Sequence, residues 1–329
     1  MANVLDTNFD YTYNGGEAAE ASIAPAVLHP SVTDLFTVME GVKSRQQIGL
    51  TSELAQITKL DDGSCGRVET GVGVDITNTT LITGGLKAFI PQCGNVFRDT
   101  IWETLMKSGN DGNDVTGTPI QKMMEQVLIP GLSRDAFNIL SFGDTGSVDT
   151  DINQIDGLWT QLDAGVISGD VDEVAAFNAV LVDGEALAKL KLMVESANNI
   201  LDQIDENDKK IYVTRSVYQN LQASYESNST GSDLQQSMLQ DGIPILRYRG
   251  IEVVKLAQWD SAISTFTLGN PHRALYTTPA NHIVGFEKSA DVTSLDVWYS
   301  KDDDKVYTSA KYRMGYVYKF GKLSVIAQG

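Results

Sequence analysis

Two cysteines, Cys65 and Cys93, and three histidines, His29, His272 and His282, are all that this chain offers to disulfides and soft metals. That is too few for a disulfide framework, so free thiols are expected, with one bridge between the pair left open. There is no Cys-x-x-Cys and no His-Glu-x-x-His, and the spacing of His272 and His282 is not that of zinc ligands. No run approaches the roughly 20 apolar residues of a membrane-spanning helix. The opening "MANVLDTNFDYTYNGGEAAEA" has neither the basic nor the apolar stretch of a secretory signal, which points to a protein made and kept in a cytoplasm. Phosphate-binding loops are missing too: no Gly-x-x-x-x-Gly-Lys-Ser/Thr occurs, and "GVGVD" at 71–75 lacks the third glycine of a dinucleotide loop. "NDGND" at 110–114 begins like a calcium loop, but no Glu closes it. Positive charge is scarce, with 25 Lys and Arg against 43 Asp and Glu for a net charge of -18. Such a surface repels phosphate and anionic membranes over most of its extent.

The charge is uneven. Residues 150–210 hold 13 acids against 4 bases, half of the net excess, whereas 261–329 hold 6 acids against 8 bases. One motif with chemistry is present: Asp144-Thr145-Gly146-Ser147 spells the aspartic-protease signature. That mechanism needs two facing carboxylates sharing a proton. The chain has no second Asp-Thr-Gly or Asp-Ser-Gly, and a helix pattern rather than a strand precedes Asp144. The expectation is a turn after a helix that Gly143 ends. Asp302-Asp303-Asp304 reads as a solvated hairpin tip. No catalytic, cofactor-binding or metal-binding residue is assigned, and a non-enzyme is expected.

What is present is an unusual order of parts. Residues 1–46 read as a broken, extended arm with a short helix over Thr33–Val42. Residues 47–95 are rich in Val, Ile and Thr and predict a long hairpin with its tip near Asp61–Gly66. Helical spacing follows over 96–110. A second helix opens at Thr118-Pro119 and runs past Pro130 to Gly143. A short helix, "IDGLWTQLDAGV", precedes a strand-like tail. From Asp183, the steps Leu187, Leu190, Val194, Ala197, Leu201 and Ile204 predict one amphipathic helix. "KKIYVTR" is a strand, "SVYQNLQASYES" a helix capped by Ser216, and "GIPILRYRGIEVVKL" a hairpin about Arg249-Gly250. From "TFTLGN" at 265 onward the chain reads as β. A long hairpin and a loose arm cannot bury themselves on one chain, which favours an assembling protein.

This order resembles the major capsid protein of tailed bacteriophages, the Hong Kong 97-type capsid fold. "IAPAVLHPSVTDLFTVMEGVKSRQQIG" is similar to its N-terminal arm, and "QKMMEQVLIPGLSRDAFNILSFGD" to its long spine helix. "DINQIDGLWTQLDAG" and "ALAKLKLMVESANNILDQIDENDKKIYVTRSVYQNLQASYES" are similar to its axial domain, and "GIPILRYRGIEVVKL" with "TLGNPHRALYTTPANHIVGFE" to the strands that follow. The resemblance implies an α+β fold: arm 1–46, extended β-hairpin loop 47–95, peripheral domain 96–149 with the spine helix, axial domain 150–275, and closing peripheral strands 276–329. It implies a virion protein assembled in a bacterial cytoplasm. Its partners would be further copies in pentamers and hexamers, with scaffolding, portal and decoration proteins as candidates, around DNA bound without sequence preference. Some relatives cross-link subunits through a Lys–Asn bond. Lys59 and Lys87 are loop candidates for it, but no partner Asn or catalytic Glu is marked. The alternatives are a nanocompartment shell of the same fold, a phage tail or adaptor component, and a hydrolase using Asp144.

Overall fold

The computed structural model describes residues 35–51, 76–97, 114, 116, 118–227, 234–238, 244–287 and 294–329. Its strands form two large sheets and a separate two-stranded hairpin. The first sheet is built on the 14-residue strand β13 (Lys305–Tyr318). β4 (Gly84–Gln92), β11 (His282–Phe286) and β12 (Ser294–Ser300) all pair with it antiparallel, and β1 (Thr37–Glu40) lies parallel on β11. The second sheet has the order β5 (Asp172–Glu173), β14 (Ser324–Gln328), β10 (Arg273–Thr277), β6 (Lys210–Val213), β9 (Ile251–Lys255), β8 (Pro244–Tyr248), β7 (Leu234–Met238). The hairpin consists of β2 (Arg45–Thr51) and β3 (Ile76–Ile82). Its expected tip, 61–66, lies outside the described residues, as do residues 1–34 and the predicted helix from 98 on.

Helix α1 (Pro119–Phe142) has 24 residues and is thus about 36 Å long. It opens as the sequence predicts, with Thr118 extended and proline in the first turn, and it passes Pro130. Its last three turns bury Leu132, Ala136, Phe137, Leu140 and Phe142. These residues pack with Leu158, Trp159 and Leu162 of α2 (Leu158–Ser168) and with Trp259 of α6 (Ala257–Thr265) into a core shared by both sheets. A second core packs α3 (Glu185–Glu195), α4 (Asn199–Asp202) and α5 (Arg215–Ser227) onto the second sheet.

Several expectations are corrected. Residues 37–40 are strand, not helix: Leu35 and Phe36 are buried in the core, and the β-branched residues that follow complete the edge of β11. The hairpin does not run to residue 95, because β4 leaves it after Thr83 to pair with β13. The predicted 183–204 helix is broken after Glu195, where Asn198 restarts it by accepting the Ile200 N–H at 3.0 Å. The apolar period survives the break, because Leu190 and Leu201 are both buried in the same core. Ser216 lies inside α5 rather than capping it. "TFTLGN" is not a strand: Thr267 and Asn270 take φ of 51° and 55° in the turn after α6. The Arg249-Gly250 turn is as predicted, with both φ positive (49° and 86°), the hand that suits a two-residue hairpin.

Candidate functional site

Asp144 closes a loop. Its Oδ1 accepts the Gly146 N–H at 2.8 Å, and its own N–H donates to Ile152 O at 2.8 Å. The carboxylate of Asp156 accepts the Thr145 N–H at 2.9 Å and the Thr145 hydroxyl at 2.7 Å. Gly143 ends α1, but with φ of -55° its glycine character answers to space rather than to a left-handed cap. A Cβ there would meet Ile155 O at 2.3 Å and Ile139 O at 2.5 Å. Because Asp144 acts as an acceptor in a turn, Asp144→Asn keeps the bond to Gly146. Its unfolding free energy should stay within about 0.5 kcal/mol of wild type. Chemical denaturation of the two proteins checks this, and a loss several times larger means that the charge itself holds the loop.

The other sequence candidates are scattered. His272 lies between Ser216 Oγ (2.8 Å from Nδ1) and Ala179 O (3.3 Å from Nε2). Cys93 is a free thiol, whereas Cys65, His29, Lys59 and residues 71–75 lie outside the described residues. Asp114, the one described residue of 110–114, accepts the Thr116 N–H at 3.0 Å. In the β12–β13 turn, Asp303 accepts the Tyr307 hydroxyl at 2.8 Å and Asp304 that of Tyr299. Among the described residues, no three His, Cys, Asp or Glu side chains converge as a metal site would require.

His282 is fully buried at the joint between the sheets. Its Nε2 is 2.9 Å from Thr277 Oγ1, which is 2.8 Å from Leu323 O. A carbonyl only accepts, so the Thr277 hydroxyl donates to it and accepts from Nε2–H. Nδ1 is then bare and takes the Tyr316 hydroxyl at 2.7 Å. Burial pulls the His282 pKa down to about 3, so the ring is neutral. Beside it, Asn281 braces the β10–β11 connection against the β13–β14 connection: its Nδ2 donates to Phe320 O at 2.9 Å and its Oδ1 accepts the Phe320 N–H at 2.9 Å.

Arg273 is another buried polar group, and sequence reasoning missed it. Its guanidinium lies 4.8 Å from the Trp159 ring centre and 5.2 Å from that of Phe142, tying the end of α1 to α2 and β10. Nε and Nη2 donate to Asn270 O and Gly269 O, each at 3.0 Å. Burial lowers its pKa to about 10, and the charge of Asp163 resists that. Burial raises Asp163 in turn, against a 2.7 Å hydrogen bond from Gln328.

The outer face of the first sheet carries the surface features. At its inner end it is covered: a Cβ on Gly315 would lie 2.1 Å from Ile82 O, and Val42, Leu81, Ile283 and Val317 pack together where the hairpin base crosses. Farther out the face is open. Lys87 stands opposite Lys311, Phe89 opposite Ser309, and Tyr307 opposite both Pro91 and Trp298. Phe89 and Trp298 are 54% and 41% exposed, and their rings lie 5.0 and 5.6 Å from that of Tyr307. The signal was the alternation in "GLKAFIPQ" and "KVYTSAKYR". Its meaning depends on a pairing between strands more than 200 residues apart. A cleft of about 990 Å³ separates the hairpin from the body, between Leu50 and Thr79 on one side and Gln161, Ala164 and Phe320 on the other.

No family model and no curated protein matches the chain. Solved structures do. A chain of the satellite phage P4 procapsid that includes the size determination (Sid) protein is 11% identical, with a TM-score of 0.57 over 98% of this chain and 93% of that one. A chain of Gordonia phage Cozz is 11% identical, with a TM-score of 0.58 over 90% of this chain and 85% of that one. A chain from the capsid of an empty GTA particle is 11% identical, with a TM-score of 0.53 over 90% of this chain and 95% of that one. At such identities the likeness speaks for fold, and it spans nearly the whole chain: this protein has the mixed α+β, Hong Kong 97-type fold of phage and GTA capsid proteins.

Proposed function

We propose that the chain is a major capsid protein, which self-assembles as pentamers and hexamers into the icosahedral shell around a tailed phage's double-stranded DNA. The observation that carries this is the capsid fold over nearly the full length, joined to a two-stranded hairpin whose base packs on the first sheet while a cleft opens between Leu50 and Thr79 and the body. Two strands alone are marginal in water, and a neighbouring subunit supplies the missing layer. In this reading the hairpin is the extended loop, and the first sheet with α1 as spine helix is the peripheral domain. The second sheet with α3 and α5 is the axial domain. The chain crosses between the two units three times, after α1 into the second sheet, from β10 to β11, and from β13 back to β14. The acidic surface suits a shell that encloses DNA without binding a sequence. Electron microscopy of the purified full chain tests the proposal. Closed shells are expected, tubes favour a tail component, and a monomer at every concentration removes the reading. Shells that package protein cargo instead of DNA favour the nanocompartment.

A further inference from the structure

Lys87 and Lys311 face each other directly across β4 and β13, and both are exposed. Opposed like charges destabilise an antiparallel pair. Among the described residues, no carboxylate forms an ion pair with either lysine. Arg313 follows on the same face as a further cation, and the register places one acid there, Asp296 opposite Ser309. Immediately outward lie the exposed rings of Phe89 and Trp298 against Tyr307. The face thus sets aromatic anchors next to cations that outnumber the acid on the same face, and it does so in a chain of net charge -18.

We propose that this face docks a second copy of the chain, which presents carboxylates to Lys87 and Lys311 and an apolar side chain to the Phe89–Tyr307–Trp298 rings. The inference rests on the assembly reading and adds to it the face and the residues. Charge complementarity selects the occupant: residues 150–210 alone offer 13 acids against 4 bases. Exposed aromatic residues are enriched at the centre of protein interfaces, with charges toward the rim. A nucleic acid fits less well, since it stacks bases on free ring faces, whereas Phe89 and Tyr307 already stack on each other at 17°.

The test is Lys87→Gln with Lys311→Gln in the full chain, with Trp298→Thr as a separate variant. Association is followed by sedimentation velocity over a concentration series. The double variant should need about tenfold more protein to associate, while its isolated subunit unfolds at the same or higher denaturant because the opposed charges are gone. Trp298→Thr should weaken association in the same direction. Wild-type association in both variants overturns the proposal and leaves the capsid reading intact. A wild-type chain that never associates removes both. Heparin binding by wild type that the double variant loses, with association unchanged, overturns it in favour of a phosphate polymer.

Discussion

Arg273→Ala should cost about 3 kcal/mol of unfolding free energy and lower the yield of folded subunit. The substitution opens a void between Trp159 and Phe142 and leaves the raised Asp163 without its cation. The estimate sits at the lower end for breaking buried pairs, because Asp163 is half-buried and the carbonyls of Gly269 and Asn270 lie at the surface, where water can replace the lost donors. Arg273→Lys should recover only part of the loss, since an ammonium has no plane to lay against two rings. Denaturant titration of the three proteins decides this, and a lysine variant equal to wild type means that charge alone matters at this position.

A second large effect is expected in acid. His282 has a folded pKa of about 3 against 6.5 for the free side chain. As pH falls below 6.5 the unfolded chain takes up this proton and the folded one does not, so stability is full above pH 6.5. It then falls by up to about 1.4 kcal/mol per pH unit and levels off near pH 3. Asp163 works the other way, because its raised pKa makes the folded state the better proton acceptor at low pH. The contribution of the histidine is therefore read against His282→Gln, which keeps one donor and one acceptor but cannot titrate. Wild type should lead at pH 7, and the gap should narrow steadily toward pH 4. Parallel stability curves for the two proteins would show that His282 is not the group responsible.

Local signals were legible in the sequence where the reason for the structure is local. Thr118-Pro119 and Gly143 frame α1, Arg249-Gly250 makes its hairpin turn, and Asp144 caps its own loop. Misreadings arose where distant chain decides. Leu35, Phe36, Val38 and Met39 fit a helix as well as a strand, and only β11, some 245 residues on, settles the matter. α6 was missed because its nine residues bury only Trp259, Ala262 and Ile263, too short a period to stand out. The candidate site was the least legible part. The facing of Lys87 and Lys311 comes from strand register, the rings around Arg273 from two helices packed on β10, and the Tyr316 partner of His282 from pairing of β11 with β13.

The place of β13 and β14 has a consequence for how the subunit is made. Each is the last of its sheet to leave the ribosome, yet β13 is the strand on which β4, β11 and β12 pair, and β14 sits between β5 and β10. Until residues 305–328 emerge, the nascent chain holds β4 and β10 with open edges and neither sheet can close. The outer face of β4 and β13, with its opposed lysines and stacked rings, comes into being only with that final closure. Vectorial synthesis therefore acts as a timer. It delays any contact through this face until translation of the two sheets is complete, and it leaves exposed edges for chaperones to shield in the interval.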